Sequence, residues 1–337
     1  MKKIVTLGEI MLRLSTPKGE RLSQANQLNA HYGGAEANVA VSLSYFGYDS
    51  YFISKVPNNP LGLAVERHLK SHGVHTDYLQ KGGERLGSYY LEAGAGERGS
   101  QVTYDRKYSS FSELKVEAVD LEAALQSASL FHVSGITLAL SPELRELTLH
   151  ALKKAKEYGV KTSFDFNYRA KLWSQAEAKE AILPLLPFID ICSCGELDAV
   201  YLLGMEKATE SLPPEEKLKY YYEKLTDLYP NIELLCSTFR TVISASSNRL
   251  QGNLFVDGKL YQSKVHPINP IIDRVGGGDA FAAGVLSGVL DELDPDQIIS
   301  FATAASALKH TVYGDCNPFT KEEVLKFAEN ESGKIVR

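Results

Sequence analysis

The sequence is poor in the residues that staple or metallate a chain. It has four cysteines in 337 residues, too few for a disulfide framework, and the usage fits a reducing compartment. Cys192 and Cys194 in DICSCGEL form one close pair. No second pair or histidine cluster stands nearby, so they read as buried thiols on one face of a strand. Basic charge is not in excess, because 36 Lys and Arg face 42 Asp and Glu for a net charge of -6. That balance argues against a nucleic-acid partner and for a small one. No apolar run is long enough to cross a bilayer. The opening MKKIVTLGEIMLRL is interrupted by Glu9 and Arg13 and is followed by no small-residue cleavage site, so it reads as a first strand and the cytoplasm is the expected compartment. Two familiar phosphate motifs do not fit the glycine run at 276 to 278 either: it has no Walker A lysine, its glycines are not spaced G-x-G-x-x-G, and no dinucleotide fingerprint follows the first strand.

What is present is a rhythm of strands and helices. Apolar strand-like runs (KKIVTLGEI, YDSYFISKV, LFHVSGIT, VKTSFDFN, DICSC, IELLCST) alternate with segments of helical spacing. Among the latter are AEANVAVSLSYFG, LGLAVERHLKSHG, ELDAVYLLG and SPELRELTLHALKKAKEYG, the last with a serine cap, Pro142 in its first turn and Gly159 at its end. This order predicts an α/β fold, doubly wound, with a mostly parallel sheet and helices on both faces. One region, 82 to 112, breaks the rhythm. Two aromatic-rich strands flank GAGERGSQ there, which predicts a hairpin. It concentrates Tyr89, Tyr90, Tyr104, Arg106 and Tyr108, either as an edge hairpin or as a lid that closes over a polar ligand. The expected organisation is one domain over 1–337, with a small β lid built from about 10–34 and 82–112.

The most pointed stretch is DRVGGGDAFAAG, residues 273 to 284. Gly276, Gly277 and Gly278 leave backbone N–H groups open to an anion, and the helix that follows adds its positive N-terminal end. Ala280, Phe281, Val285, Leu286 and Val289 suit one buried face of that helix. Asp279 is a poor choice for binding phosphate, since like charges repel. It makes sense as a base that takes a proton from an attacking hydroxyl while the amides hold a phosphoryl group. The bland alternative is an acid capping a helix in a tight turn.

This loop resembles the second hallmark motif of the ribokinase-like (PfkB) carbohydrate kinases, D-T-x-G-A-G-D. GGAEANVAVSLSYFG at 33 to 47 resembles the first, and the resemblance covers essentially the whole chain. It implies a ribokinase-like fold, ATP as phosphoryl donor, Mg²⁺ with the nucleotide, and a monovalent cation near the loop. It also implies that Gly33, Gly34 and Asn38 touch the sugar. Within the family the sequence is similar to the 2-keto-3-deoxygluconate kinases. Asp273-Arg274 opens the loop as in that subgroup, and YDR at 104 to 106, SGIT at 134 to 137 and DFNYRAKLW at 165 to 173 match stretches lining an acid-sugar pocket. By that similarity Tyr89, Tyr104, Arg106 and Arg169 contact the substrate, and Asn167 and the three loop glycines serve the nucleotide. Paired guanidinium groups independently suit a carboxylate.

The chain also departs from the family. Relatives carry Asn-x-x-Glu after a mid-chain strand, whereas GELD offers Glu196 as a metal candidate without the Asn. A Lys-x-Gly-x-x-Gly turn near the nucleotide is absent at 236 to 252, where Thr238, Arg240 and Asn248 are substitutes, and the small residues of 301 to 314 suit either the adenine or close helix packing. A fructokinase or other neutral-sugar kinase is the nearest rival; a noncatalytic sugar or nucleotide sensor is the rival from another class. Tyrosine-rich hairpin edges suggest a homo-oligomer.

Overall fold

The protein is described by a computed structural model covering residues 1–329. Along the chain, β1 (Lys3–Leu7), β2 (Met11–Ser15) and β3 (Asn29–Gly33) precede α1 (Ala35–Tyr45). Then come β4 (Asp49–Val56), α2 (Pro60–Ser71), β5 (Leu79–Lys81), β6 (Ser88–Glu92) and β7 (Gln101–Asp105). The middle holds α3 (Leu121–Leu125), β8 (Ala128–Ser134), α4 (Gly135–Leu140), α5 (Pro142–Glu157), β9 (Lys161–Asp165), α6 (Gln175–Ile182), β10 (Ile191–Ser193) and α7 (Pro214–Leu228). The last part runs β11 (Leu234–Ser244), β12 (Ser247–Val256), β13 (Lys259–Gln262), β14 (His266–Ile268), α8 (Gly277–Leu290), α9 (Pro295–Lys309) and α10 (Lys321–Glu329).

The large sheet has the order β13-β12-β11-β10-β9-β8-β1-β4-β5, with β14 joined to β12. From β5 to β11 every pairing is parallel; β12 to β14 add an antiparallel edge. Successive strand residues face opposite sides, so each face has its own core. Ile4 and Leu130 pack with α1, α8 and α9, whereas Val5 and Phe131 pack with α3 and α5. Strand order runs outward in both directions from β1 and β8. The carboxyl ends of these two strands form the switch point at which open α/β sheets bind ligands.

A second sheet, β3-β2-β6-β7, is built from 11–33 and 88–105. It hangs from the end of β1 and returns the chain through Gly33 into α1. Two details differ from the sequence reading. The segment 196–204 is helical over 196–202, as expected, but widens at Asp198–Leu202, where Leu203 N donates to Asp198 O at 3.1 Å, and Gly204 bends the chain out with φ +73°. Helix α8 is buried nearly all round rather than on one face, because α1 and α9 flank it. The alanines of 301 to 314 are buried against α8, the helix packing that the sequence also allowed: a Cβ on Gly284 would lie 2.5 Å from Ala302 Cα.

Candidate functional site

A cavity of about 430 Å³ opens at the switch point, between the carboxyl ends of β1, β8 and β9, the first turns of α1 and α8, and the second sheet. Glycine sets the start of α8. Gly276 sits at φ +81°, and a Cβ there would lie 1.8 Å from Asp315 O, so the turn excludes other residues by both torsion and space. Gly33 and Gly34 are likewise demanded by the chain itself. A Cβ on Gly34 would lie 1.8 Å from Glu9 O, and one on Gly33 would strike the Asp315 side chain. Gly277 turns away from the cavity toward His310, whose ring a Cβ would meet at 2.5 Å. Gly278 is different. It lines the cavity, has no left-handed torsion, and an added Cβ would find no atom within 4 Å. Neither packing nor backbone strain requires glycine there, which leaves space for a ligand.

Asp279 follows in the first turn of α8, half-buried and facing the cavity. Asn38, from the first turns of α1, orients it. The Asn38 Nδ2 donates to Asp279 Oδ2 at 2.7 Å, and its Oδ1 accepts from Gly34 N at 3.4 Å. Enclosure pushes the Asp279 carboxyl up to about 6, while the Asn38 hydrogen bond and the Arg169 charge restrain the rise. Asp165, at the carboxyl end of β9, is pushed up to about 7 by burial and then by the neighbouring Asp279 charge. Its Oδ1 accepts from Asn167 N at 3.0 Å, holding Asn167 at φ +40° on the cavity wall. Glu36 ties α1 to the end of β8, accepting from Ser134 N, Ser134 Oγ and Thr137 Oγ1 at 2.8 to 3.0 Å.

The second sheet supplies the opposite wall with Met11, Tyr89, Val102, Tyr104 and Arg106. Arg106 is not a free guanidinium. It is buried and donates through Nε and Nη2 to Glu9. Tyr89 donates its hydroxyl to Asp315, so both side chains expected to meet a ligand already have partners in the chain. Asp315 accepts at its other oxygen from Arg13, which also donates to Asp273. Arg169 stands exposed at the cavity, donating to Tyr168 O at 3.1 Å. On the far side, Arg240 and Arg274 flank the glycine turn; Arg274 donates to Ala245 O at 2.9 Å.

Gly33, Gly34, Asn38, Tyr89, Tyr104, Arg106, Asn167, Arg169, Gly276, Gly278 and Asp279 therefore share one cavity, while Gly277 and Glu196 are outside its lining. Glu196 is exposed. Thr238 and Asn248 are also off the lining, the latter buried in β12. Sequence reasoning did not single out Glu9, Glu36, Asp165 or Asp315. An acid at the end of a parallel strand is a signal that could have found Asp165. The cysteines are free; Cys192 and Cys194 are buried in the same core. Among the described residues no helix is long and apolar enough to cross a membrane.

The family model described as pfkB family carbohydrate kinase matches residues 1–322. Over 337 residues the chain is 34% identical to the 2-dehydro-3-deoxygalactonokinase of Haloferax volcanii, covering 99% of each. It is 30% identical over 326 residues to the 2-dehydro-3-deoxygluconokinase of Bacillus subtilis, covering 96% of this chain and 94% of that one. The crystal structure of 2-dehydro-3-deoxygluconokinase from Thermotoga maritima aligns with a TM-score of 0.94 at 43% identity, over 98% of this chain and 100% of that chain.

Proposed function

The chain belongs to the pfkB family of carbohydrate kinases, and from that premise we propose that it phosphorylates the terminal C6 hydroxyl of 2-dehydro-3-deoxy-D-gluconate with ATP. The observation that carries the mechanism is the Asn38-held carboxylate of Asp279 next to the open space at Gly278. The sugar lies between Asn38, Arg169 and the wall of Tyr89, Tyr104 and Arg106. The triphosphate lies over the first turn of α8, with Arg240 and Arg274 beside it. Asp279 takes the hydroxyl proton as the sugar oxygen bonds to the γ-phosphorus. The bond from that phosphorus to the β,γ-bridging oxygen breaks, and ADP leaves. Amide groups at the start of α8 face the charge carried by the transferring group. A pKa near 6 leaves Asp279 ionised at neutral pH yet basic enough to share the proton.

Magnesium is proposed to arrive on the triphosphate, where it neutralises phosphate charge. Among the described residues no group of three or more His, Cys, Asp or Glu side chains could hold a metal. Glu196 offers no cage, and proton transfer rests on the chain's own Asp279.

The acid-sugar reading rests on Arg169 at the cavity and on the names of the relatives. Arg106 joins it as part of the Glu9 pair, which uses its Nε and Nη2 and leaves its other N–H donors for a carboxylate. The test is ADP release with Mg²⁺-ATP and 2-keto-3-deoxygluconate, its galactonate epimer, fructose or ribose at equal concentration. Preference for the keto-deoxy acids is the expected result, with the better epimer naming the substrate. Arg169→Ala should cost the acids more than the neutral sugars. A preference for fructose or ribose, or equal losses in the variant, overturns the acid-sugar assignment.

Gly278→Ala separates ligand approach from folding. An alanine in the first helical turn should leave stability unchanged or raise it by up to about 1 kcal/mol, because nothing lies where its methyl would go. The same methyl crowds the proposed phosphate position, and kcat/KM for ATP should fall by about 10²-fold, the scale of an ångström's misplacement. A stable variant with undiminished kcat/KM would clear the triphosphate from this turn.

A further inference from the structure

The monovalent cation implied by family resemblance meets an obstacle in this chain. Lys309, the last residue of α9, is 0% exposed. Its Nζ donates to Asp273 O and Val312 O, each at 3.4 Å, bridging the start of the glycine loop to the turn after α9. A Cβ on Gly276 would lie 3.4 Å from Lys309 Cε, so the lysine arm runs directly behind the left-handed residue that starts α8.

The surrounding charges are already balanced. Asp273 and Asp315 both pair with Arg13, and the Lys309 amine stands beside them, where burial lowers its pKa and the charges of the two acids oppose that fall. Each carboxylate oxygen has a donor: Asp273 accepts from Val275 N at 3.1 Å and from Gly314 N at 3.2 Å as well as from Arg13, and Asp315 accepts from Arg13 and Tyr89. Two buried carboxylates with one guanidinium and one ammonium sum to zero. Another cation in that space would be an uncompensated buried charge, and a neutral lysine would leave a carboxylate unmatched.

We propose that the Lys309 ammonium is the built-in cation of the glycine loop, so that this kinase needs no added potassium or sodium. Lys309 does not line the cavity. It is a positioning residue that fixes the loop whose helix end faces the triphosphate, and its assignment rests on the kinase reading above.

The experiment uses the whole protein in tetramethylammonium buffers, with potassium chloride replacing tetramethylammonium chloride at constant ionic strength. Two quantities are followed: the melting midpoint with Mg²⁺-ATP, and ADP release with the accepted sugar. The expected result is no saturable potassium-specific rise in midpoint and a change in kcat/KM of less than about twofold. A saturable rise, or a larger activation, overturns the proposal. The melting arm needs no sugar, so failure to turn over any sugar counts against the kinase reading alone and leaves this proposal decided by the melt. Lys309→Ala should lose at least about tenfold in kcat with the sugar KM held, and regain activity with potassium. A variant as active as the parent in tetramethylammonium also overturns the proposal. If the variant does not fold, the parent titrations decide.

Discussion

Asp279→Asn is expected to keep sugar and nucleotide binding and to lose roughly 10²–10⁴-fold in turnover. The amide has the size of the acid, and its oxygen can still accept from Asn38 Nδ2, the bond that holds the native carboxylate at 2.7 Å. What disappears is the capacity to take a proton. The loss should therefore fall on kcat, with KM values and calorimetric affinities close to the parent's. The same residue sets the pH profile. With the Asp279 carboxyl pushed up to about 6 by burial, the base is ionised above that pH and protonated below it. Activity as kcat/KM should form a plateau near neutrality and decline with unit slope as pH falls through about 6. In Asp279→Asn that acid limb should vanish from the residual activity. A loss smaller than about tenfold, or an unchanged acid limb in the variant, would show that another group takes the proton.

The second large effect is on stability. Arg13→Met should destabilise the fold by about 3–5 kcal/mol, because it leaves Asp273 and Asp315 buried without their shared guanidinium. Arg13 lies on β2 and reaches 260 residues to Asp273 and 302 residues to Asp315. It binds the second sheet to the glycine loop as well as balancing charge. Arg13→Lys should lose less, since the charge is kept while the two-pronged geometry is not. Urea unfolding compares the three proteins. A cost below about 1 kcal/mol for Arg13→Met would mean that the two acids find other compensation, and the balanced cluster behind the loop would have to be abandoned.

Local patterns made much of the fold legible. The alternation of strand and helix is dictated by residue periodicity, and Ser141 caps α5 by accepting from Leu144 N. The aromatic run at 82–112 turned into β6 and β7 because alternating side chains and an intervening glycine-rich turn favour antiparallel pairing. The widened turn at 198–202, inside a helix that the apolar spacing did announce, was harder to foresee. It is defined by the bond from Leu203 N to Asp198 O, one residue longer than an ordinary helical bond, and is followed by the left-handed Gly204. The alanines of α9 show the limit of composition: small residues suit a flat ligand and a close helix contact equally, and here Gly284 of α8 is the neighbour.

By itself, the sequence determined the glycine turn, the acid that follows it and the Gly33-Gly34-Asn38 entry to α1. These depend on torsions and on spacings within one or two helical turns, which neighbouring residues control. Only the tertiary structure decided which charges are free. Arg106 is taken by Glu9 across 97 residues, Tyr89 by Asp315 across 226, and Asp165 is raised by burial and then by an Asp279 that the chain reaches much later. Ion pairing and shared burial act through space rather than along the chain, so no local spacing announces them.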